Sequence, residues 1–225
     1  MAFFRPRGRQ QAAADVLRDA LFGGLPLEQW PPEGAQADGF PWTAFAEARA
    51  HLAAGSTDQA KRCWHEVVMQ PALEPRHYLQ AWHFLRAHGE RPPDDIAKNV
   101  LGLIVEMGLR QGLDVLAVYA DRSARYYNHA GGGVVVDRAA ASLAQLIDAL
   151  LAAAADIVAQ IGPWEGPRPG PPPPEHVRLS FLTPSGVHFG EGAVNALEGD
   201  PLGGLVLRGA TQVMRELVEI GAPNK

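Results

Sequence analysis

The histidines and the single cysteine are the side chains of this sequence with the widest range of chemistry. The chain of 225 residues contains eight histidines and one cysteine. A zinc site on a helix needs ligands that share a face, as residues about four positions apart do. Cys63 and His65 are two positions apart, and His77 and His83 are six apart, so neither pair shares a helix face. We therefore predict no metal site and no bound cofactor.

Two further patterns carry residue types found in phosphate-binding or catalytic sites. Residues 129–133 (HAGGG) form a glycine-rich loop, but the next residues, Val134-Val135-Val136, are typical of a strand. A phosphate-binding loop needs a helix N-terminus at that place. Ser185 and His188 are close enough in the sequence to meet across a turn, but nothing beside them resembles a nucleophile elbow. We therefore predict no catalytic residues.

Aromatic and basic residues around position 125 are the best candidates for a binding surface. If residues 124–128 form a strand, Arg125 and Tyr127 lie on one face and Tyr126 on the other, and continued alternation places His129 with Arg125 and Tyr127. An exposed face of this kind suits a peptide or an anionic ligand. Covered by a helix, it would be the edge of the core, which is the interpretation we favour. The complete set of candidate ligand- or partner-binding residues is Arg125, Tyr127, His129, Tyr119, Tyr126 and Trp164.

The second half of the chain predicts an antiparallel sheet with helices on one side. Short apolar segments are separated by turn residues, which is typical of sequential antiparallel strands. Two longer segments have apolar residues at helical spacing. The predicted strands are 100–107, 113–120, 124–128, 134–137, 177–182 and 187–190, and the predicted helices are 139–161 and 202–220. A proline-rich loop, 163–174, favours extended polyproline geometry. This order of elements indicates a two-layer α+β sandwich.

An internal similarity suggests that this half contains a duplicated ββα unit. A shift of 63 positions places Leu116 over Leu179, Val118 over Phe181 and Tyr126 over Phe189. Each hairpin is followed by a loop and a long amphipathic helix. Two unrelated apolar hairpins would align about as well, so both explanations remain open.

The first half of the chain predicts helices. Apolar spacing and turn residues predict helices at 10–22, 44–54, 56–69, 74–87 and 93–98, with a loop rich in proline and glycine at 25–41. Ser56 and Gln59 have the capping-box pattern at the start of one helix. Pro75 suits the first turn of another.

Part of this region resembles a tetratricopeptide repeat. Over residues 43–71, Ala48 occupies the small-residue position of the first repeat helix, and Gly55 lies in the turn. Ala60 and Trp64 match the small and aromatic positions of the second helix. One such helix pair covers about thirty residues, whereas repeat arrays need about three copies or more. The resemblance therefore implies a single helical hairpin that binds other proteins.

Composition and charge narrow the class of protein. Apolar residues make up 47% and charged residues 20% of the chain, as in ordinary globular proteins. The net charge of -5 argues against broad nucleic-acid binding. The longest apolar run, 149–155, is much shorter than the roughly 20 residues of a membrane span. One cysteine excludes an intrachain disulfide framework and favours a cytoplasmic protein.

The sequence thus predicts an α+β protein with three regions. They are an N-terminal helix and loop (1–41), a helical region (42–98) and an antiparallel sheet domain (99–225). The expected function is a non-catalytic interaction or scaffold module whose partner is another protein. A small-ligand sensor, with a pocket between sheet and helices, is the alternative, and an enzyme of unrecognised type is the third candidate. The oligomeric state is left open.

Overall fold

A computed structural model describes residues 18–31 and 39–222 of the chain. The chain divides into two compact units, 1–90 and 91–225. The start of the predicted helix 10–22 lies outside the described residues, and residues 18–22 are helical.

The first unit contains a helical hairpin followed by a third helix. The hairpin helices are α1 (Trp42–Ala53) and α2 (Thr57–Met69), and the third helix is α3 (Pro75–Ala87). Gly55 forms the turn between α1 and α2 with a φ of +74°, a conformation that costs little for glycine. Ala48, Ala60 and Trp64 are fully buried between the helices. Trp64 also packs against the ring of Phe84 in α3, with centroids 5.2 Å apart, so the hairpin and the third helix share this contact.

The ends of the helices follow the sequence signals only in part. Pro75 lies in the first turn of α3, as predicted. The predicted capping box is wrong, because within the described residues the Ser56 side chain makes no capping hydrogen bond. The backbone N–H of Gln59 donates instead to the backbone carbonyl of Ser56, at 3.1 Å. The donor that the serine hydroxyl would have satisfied is therefore already paired.

The second unit is built on a six-stranded antiparallel sheet. After a short helix, α4 (Asp94–Ala97), the chain forms four consecutive strands and later a hairpin. The strands are β1 (Gly102–Leu109), β2 (Gly112–Tyr119), β3 (Ala124–Tyr127), β4 (Gly133–Val136), β5 (His176–Thr183) and β6 (Gly186–Ala193). Their order is β4-β3-β2-β1-β5-β6, so β1 pairs with both β2 and β5. The predicted α+β fold with an antiparallel sheet is confirmed.

Helices cover one face of this sheet. The long helices are α5 (Ala141–Gln160) and α7 (Gly203–Gly221), and a short helix, α6 (Val194–Glu198), was not predicted. Alternate strand residues such as Leu103, Leu116 and Leu179 form one core with the apolar stripes of α5 and α7. Burial of this apolar surface is the main stabilising contribution to the unit. We call the covered side the helix face and the other side the second face.

Helix α5 is long and apolar enough to cross a membrane by length and composition, with a mean hydropathy of 1.6. Core helices of soluble proteins pass the same test. Six of its residues, Leu143, Ala144, Ile147, Leu150, Ala154 and Val158, are buried. Their spacing follows one side of the helix, and all of them except Ala144 belong to the core against the sheet.

The hairpins of the suggested duplication differ in register. Tyr126 pairs with Leu116 and therefore lies on the helix face. Phe189 pairs with Ser180, and Leu179 pairs with Gly190, so Phe189 lies on the second face. The aligned residues Tyr126 and Phe189 thus point to opposite sides of the sheet. Because a one-residue slip reverses every side chain, the sequence alignment does not extend to the geometry of the hairpins.

Candidate functional site

The predicted aromatic and basic residues lie on both faces of the sheet. Arg125 and Tyr127 are on the second face, and Tyr126 packs against the core on the helix face. The alternation predicted for 124–127 is therefore present, but α5 covers the opposite face from Arg125 and Tyr127. Tyr119 is fully buried on the second face, where the guanidinium carbon of Arg125 lies 5.7 Å from its ring centroid.

His129 does not join Arg125 and Tyr127, as the alternation predicted. Strand β3 ends at Tyr127, and the chain turns before His129. The backbone N–H of His129 donates to Asp114 Oδ1 at 2.8 Å, and His129 Nδ1 lies 2.9 Å from the same oxygen. Tyr126 donates its hydroxyl proton to Asp114 Oδ2 at 2.8 Å. One carboxylate therefore holds both the strand and the loop that follows it.

The electrostatics of Asp114 and its partners Tyr126 and His129 suit these three residues to a structural role. Burial raises the pKa of Asp114, but hydrogen bonds from His129 and Tyr126 outweigh it and bring the pKa below its usual value. Burial, together with the hydrogen bond to Asp114 and its charge, raises the pKa of Tyr126 to about 12. Asp114 is thus ionised and Tyr126 protonated at neutral pH. Because the carboxylate already accepts from these donors, it is poorly placed to act as a general base.

Trp164 lies at the opposite side of the second face from the tyrosines. Its ring packs edge-on against Phe189 of β6, with centroids 5.3 Å apart. Between β6 and β3, which carries Tyr127, are β5, β1 and β2. Four strand spacings separate them by about 19 Å. The structure therefore does not bring Trp164, Tyr119, Tyr126 and Tyr127 into one pocket.

The second face carries a buried cluster of charged residues that the sequence analysis did not predict. Cross-strand pairing places Glu106, Arg178 and Glu191 side by side on β1, β5 and β6. Arg178 donates through Nε and Nη2 to Glu191 Oε2, and its Nη1 lies 3.5 Å from Glu106 Oε2. The side chains of Arg178 and Glu106 are 4% and 0% exposed. Glu106 and Arg178 are charged residues in largely apolar strands, which is the signal that could have revealed the cluster.

Arg178 also holds a proline-rich segment on the sheet. Residues 162–175 (GPWEGPRPGPPPPE), here called the proline strap, lack helix and strand. Arg178 Nη1 donates to the carbonyl oxygens of Gly170 at 2.6 Å and Pro169 at 3.3 Å. At Gly108 the strap comes so close that an added Cβ would lie 2.2 Å from the carbonyl oxygen of Pro173. The guanidinium thus fixes the middle of the strap.

Ser185 and His188 do meet, and the hydroxyl of Thr183 joins their contact. Ser185 Oγ lies 3.2 Å from His188 Nε2 and 2.9 Å from Thr183 Oγ1. Thr183 also donates its hydroxyl proton to the carbonyl of Gly186 at 2.9 Å. No carboxylate among the described residues forms a hydrogen bond with His188, so the third group that a catalytic serine needs is missing there. Burial lowers the pKa of His188, the backbone of Ile161 opposes this change, and Lys98 adds to it.

An open cavity of about 390 Å³ lies at the end of β1. It is lined by Met107, Gly108, Leu109, Arg110, Glu175 and Val194. None of the six predicted binding residues lines it. Within residues 18–31 and 39–222, no group of three or more histidine, cysteine or acidic residues could hold a metal ion.

The edge strand β4 has one strand neighbour only among the described residues. It is the last strand on its side and pairs only with β3 among the described residues. Its sequence is Gly-Val-Val-Val, without a charge or proline. The other edge, β6, is partly covered, because the N–H of Trp164 donates to the carbonyl of Val187 at 2.8 Å.

Comparison with known proteins gives no relative for this chain. No family model, no curated protein and no solved structure matches it. The resemblance to a tetratricopeptide hairpin therefore remains a likeness of residue pattern over residues 43–71.

Proposed function

We propose that this protein is a non-catalytic interaction module that accepts a β-strand from a partner protein along β4. Strand addition uses the backbone N–H and C=O groups of an exposed edge, and pockets for alternate side chains add specificity. The observation that carries the proposal is the apolar, uncharged edge strand Gly133–Val136. Edge strands in proteins are usually protected by charges, prolines, bulges or covering elements.

The hydrogen-bonding pattern indicates which backbone groups of β4 point outward. Asn128 donates its backbone N–H to the carbonyl of Gly132, in the same register as the β3–β4 pairs. Hydrogen-bonded pairs alternate along an antiparallel ladder. Tyr126 and Val134 therefore form the next hydrogen-bonded pair, whereas Val135 directs its N–H and C=O away from β3. These are the groups that a partner strand would bond.

The side chains of β4 support the same geometry. Val134 and Val136 pack against the core on the helix face, which holds the strand in place. Val135 points to the second face and is 51% exposed. A partner strand would therefore meet a fixed backbone and one accessible apolar side chain. Fixing the backbone in advance lowers the conformational entropy that binding must overcome.

The third helix of the helical region, α3, offers little exposed surface. Within α3, Ala87 alone is exposed, and the other residues of Pro75–Ala87 are buried or half-buried. Helix α3 therefore has little free surface for a partner. This distribution favours β4 over α3 as the site of contact. A protein partner also agrees better than nucleic acid with the net charge of -5.

Within residues 18–31 and 39–222, the sensor and the enzyme have less support than strand addition. The space between the sheet and the long helices is filled by buried core residues. The proposed pocket residues are divided between the two faces, and no carboxylate among the described residues orients His188 beside Ser185. We also propose a cytoplasmic location, which the use of a single, buried cysteine supports.

The proposal is tested by replacing Val135 with proline. Val135→Pro removes the outward N–H and is expected to leave the β3–β4 hydrogen bonds, since an edge strand tolerates proline on its open side. The control, Val135→Thr, keeps the N–H and the β-branched shape. In affinity purification from native cells, we expect a partner that copurifies with wild type and Val135→Thr to be lost with Val135→Pro. Retention of every partner by a folded Val135→Pro protein would refute strand addition at β4.

A further inference from the structure

We propose that the proline strap is a second interaction site, which a partner protein binds through an aromatic-lined groove for polyproline helices. Four consecutive prolines, Pro171 to Pro174, follow Gly170 in the strap. Such a run favours the polyproline II conformation, which has about three residues per turn and no internal hydrogen bonds. Grooves lined with aromatic side chains recognise segments in which two prolines are separated by two residues.

Exposure over residues 169–174 of the strap follows the period of a polyproline helix. Pro172 is buried and Pro169, three positions earlier, is half-buried. Pro171, Pro174, Gly170 and Pro173 are exposed. One of the three edges of the helix therefore faces the protein, while the other two face outward. Pro171 and Pro174 lie on one outward edge with the spacing that such grooves bind.

The strap is fixed at several points before any partner arrives. Arg178 bonds the carbonyl oxygens of Pro169 and Gly170, and the N–H of Glu175 donates to the carbonyl of Gly108 at 2.9 Å. At the other end the N–H of Trp164 bonds the Val187 carbonyl. These contacts lie outside the outward edge of Pro171 and Pro174, so they restrict the segment without covering it. Proline also has a fixed φ and no N–H that binding would leave unpaired.

If the proline strap served only to cover the sheet, it would not need prolines on its outward edges. Holding a loop on a sheet needs the buried edge and its bonds to Arg178. It does not need prolines on the outward edges, where they contribute little to packing. An aromatic groove, by contrast, gains from rigid, exposed pyrrolidine rings, because their ordering costs little entropy. This feature favours a groove-bearing partner over a role limited to covering the sheet.

The experiment titrates the full chain with a panel of purified SH3 and WW domains, with binding measured by calorimetry. We expect at least one domain to bind with one-to-one stoichiometry. Pro171→Ala combined with Pro174→Ala should weaken that binding by at least about tenfold, because both anchors of the outward edge are lost. The control variant Pro163→Ala alters an exposed strap proline outside the run and should bind as wild type does.

Two outcomes would overturn the proposal: no domain of the panel binds the wild type, or the double alanine variant binds as tightly as wild type. Circular dichroism of the double variant checks that the fold is intact. Val135→Pro should bind the same domain unchanged, because β4 and the strap are separate surfaces. Failure at the strap and failure at β4 can therefore be distinguished.

Discussion

Replacing Arg178 by methionine should destabilise the sheet unit more than any single surface change. Arg178 joins Glu191, Glu106 and the carbonyls of Pro169 and Gly170, and its side chain is 4% exposed. Methionine has a similar length but neither charge nor donors. Glu106, which is fully buried, would lose its cationic neighbour. Removal of one partner from a buried ion pair costs about 3–5 kcal/mol.

This loss is large compared with the stability of an ordinary domain, which is about 5–15 kcal/mol. The assay is hydrogen exchange with mass spectrometry at increasing urea concentration, which reports the free energy of opening of β1 and β5. The control Arg110→Met breaks the exposed pair of Arg110 with Glu175, whose side chains are 85% and 79% exposed. Exposed pairs contribute less than about 1 kcal/mol.

A second change tests the electrostatic cause. Glu106→Gln in the Arg178→Met background removes the carboxylate that lost its partner, so it should recover part of the lost stability. If Arg178→Met costs less than about 1 kcal/mol, the interpretation of Arg178 as the anchor of the strap is wrong. If Glu106→Gln brings no recovery, the loss comes from the strap contacts rather than from the Glu106 charge.

Two further changes test other contacts of the same unit. Asp114→Asn should lower the pKa of Tyr126 from about 12, because the variant lacks the carboxylate charge. NMR titration of the tyrosines, with Tyr126→Phe to assign the signal, measures this pKa. An unchanged pKa would contradict the hydrogen bond between Tyr126 and Asp114. The pKa of Asp114 is depressed in the folded state, so the contribution of this carboxylate to stability is present above its unfolded pKa. That contribution is lost as the pH falls through the folded pKa. Protection of the His129 amide from hydrogen exchange should therefore decrease with acid in wild type but not in Asp114→Asn. Gly108→Ala places a Cβ against the Pro172 and Pro173 carbonyls. Overpacking of this kind lowers the free energy of unfolding by about 1–3 kcal/mol. Unchanged stability in urea would show that the strap moves freely at this point.

Local sequence patterns predicted most elements of the sheet unit. The strands alternate apolar residues or are apolar on both faces, and α5 and α7 carry stripes at helical spacing, so type and approximate position follow from the period. Helix α6 has five residues, too few to show a period, and it was missed. The capping box at Ser56 failed because the competing backbone carbonyl of the same residue satisfied the donor.

The candidate surfaces depended on information that local patterns do not contain. The alternation from Arg125 to Tyr127 was correct, but His129 follows the end of the strand, where the period no longer applies. The open position of β4 depends on the pairing of β1 with β5, which are about seventy residues apart in the chain. The Glu106–Arg178–Glu191 cluster depends on the same pairing and on its register. Each of these features is set by tertiary structure.

Photo-crosslinking from position 135 in native cells tests most directly whether β4 is an interaction site. A photoreactive amino acid replaces Val135 in one protein and Gln145, an exposed residue of α5, in the control. The proposal predicts an adduct of discrete mass from position 135 and no such adduct from position 145. The absence of an adduct from position 135, or the same adducts from both positions, would contradict strand addition at β4.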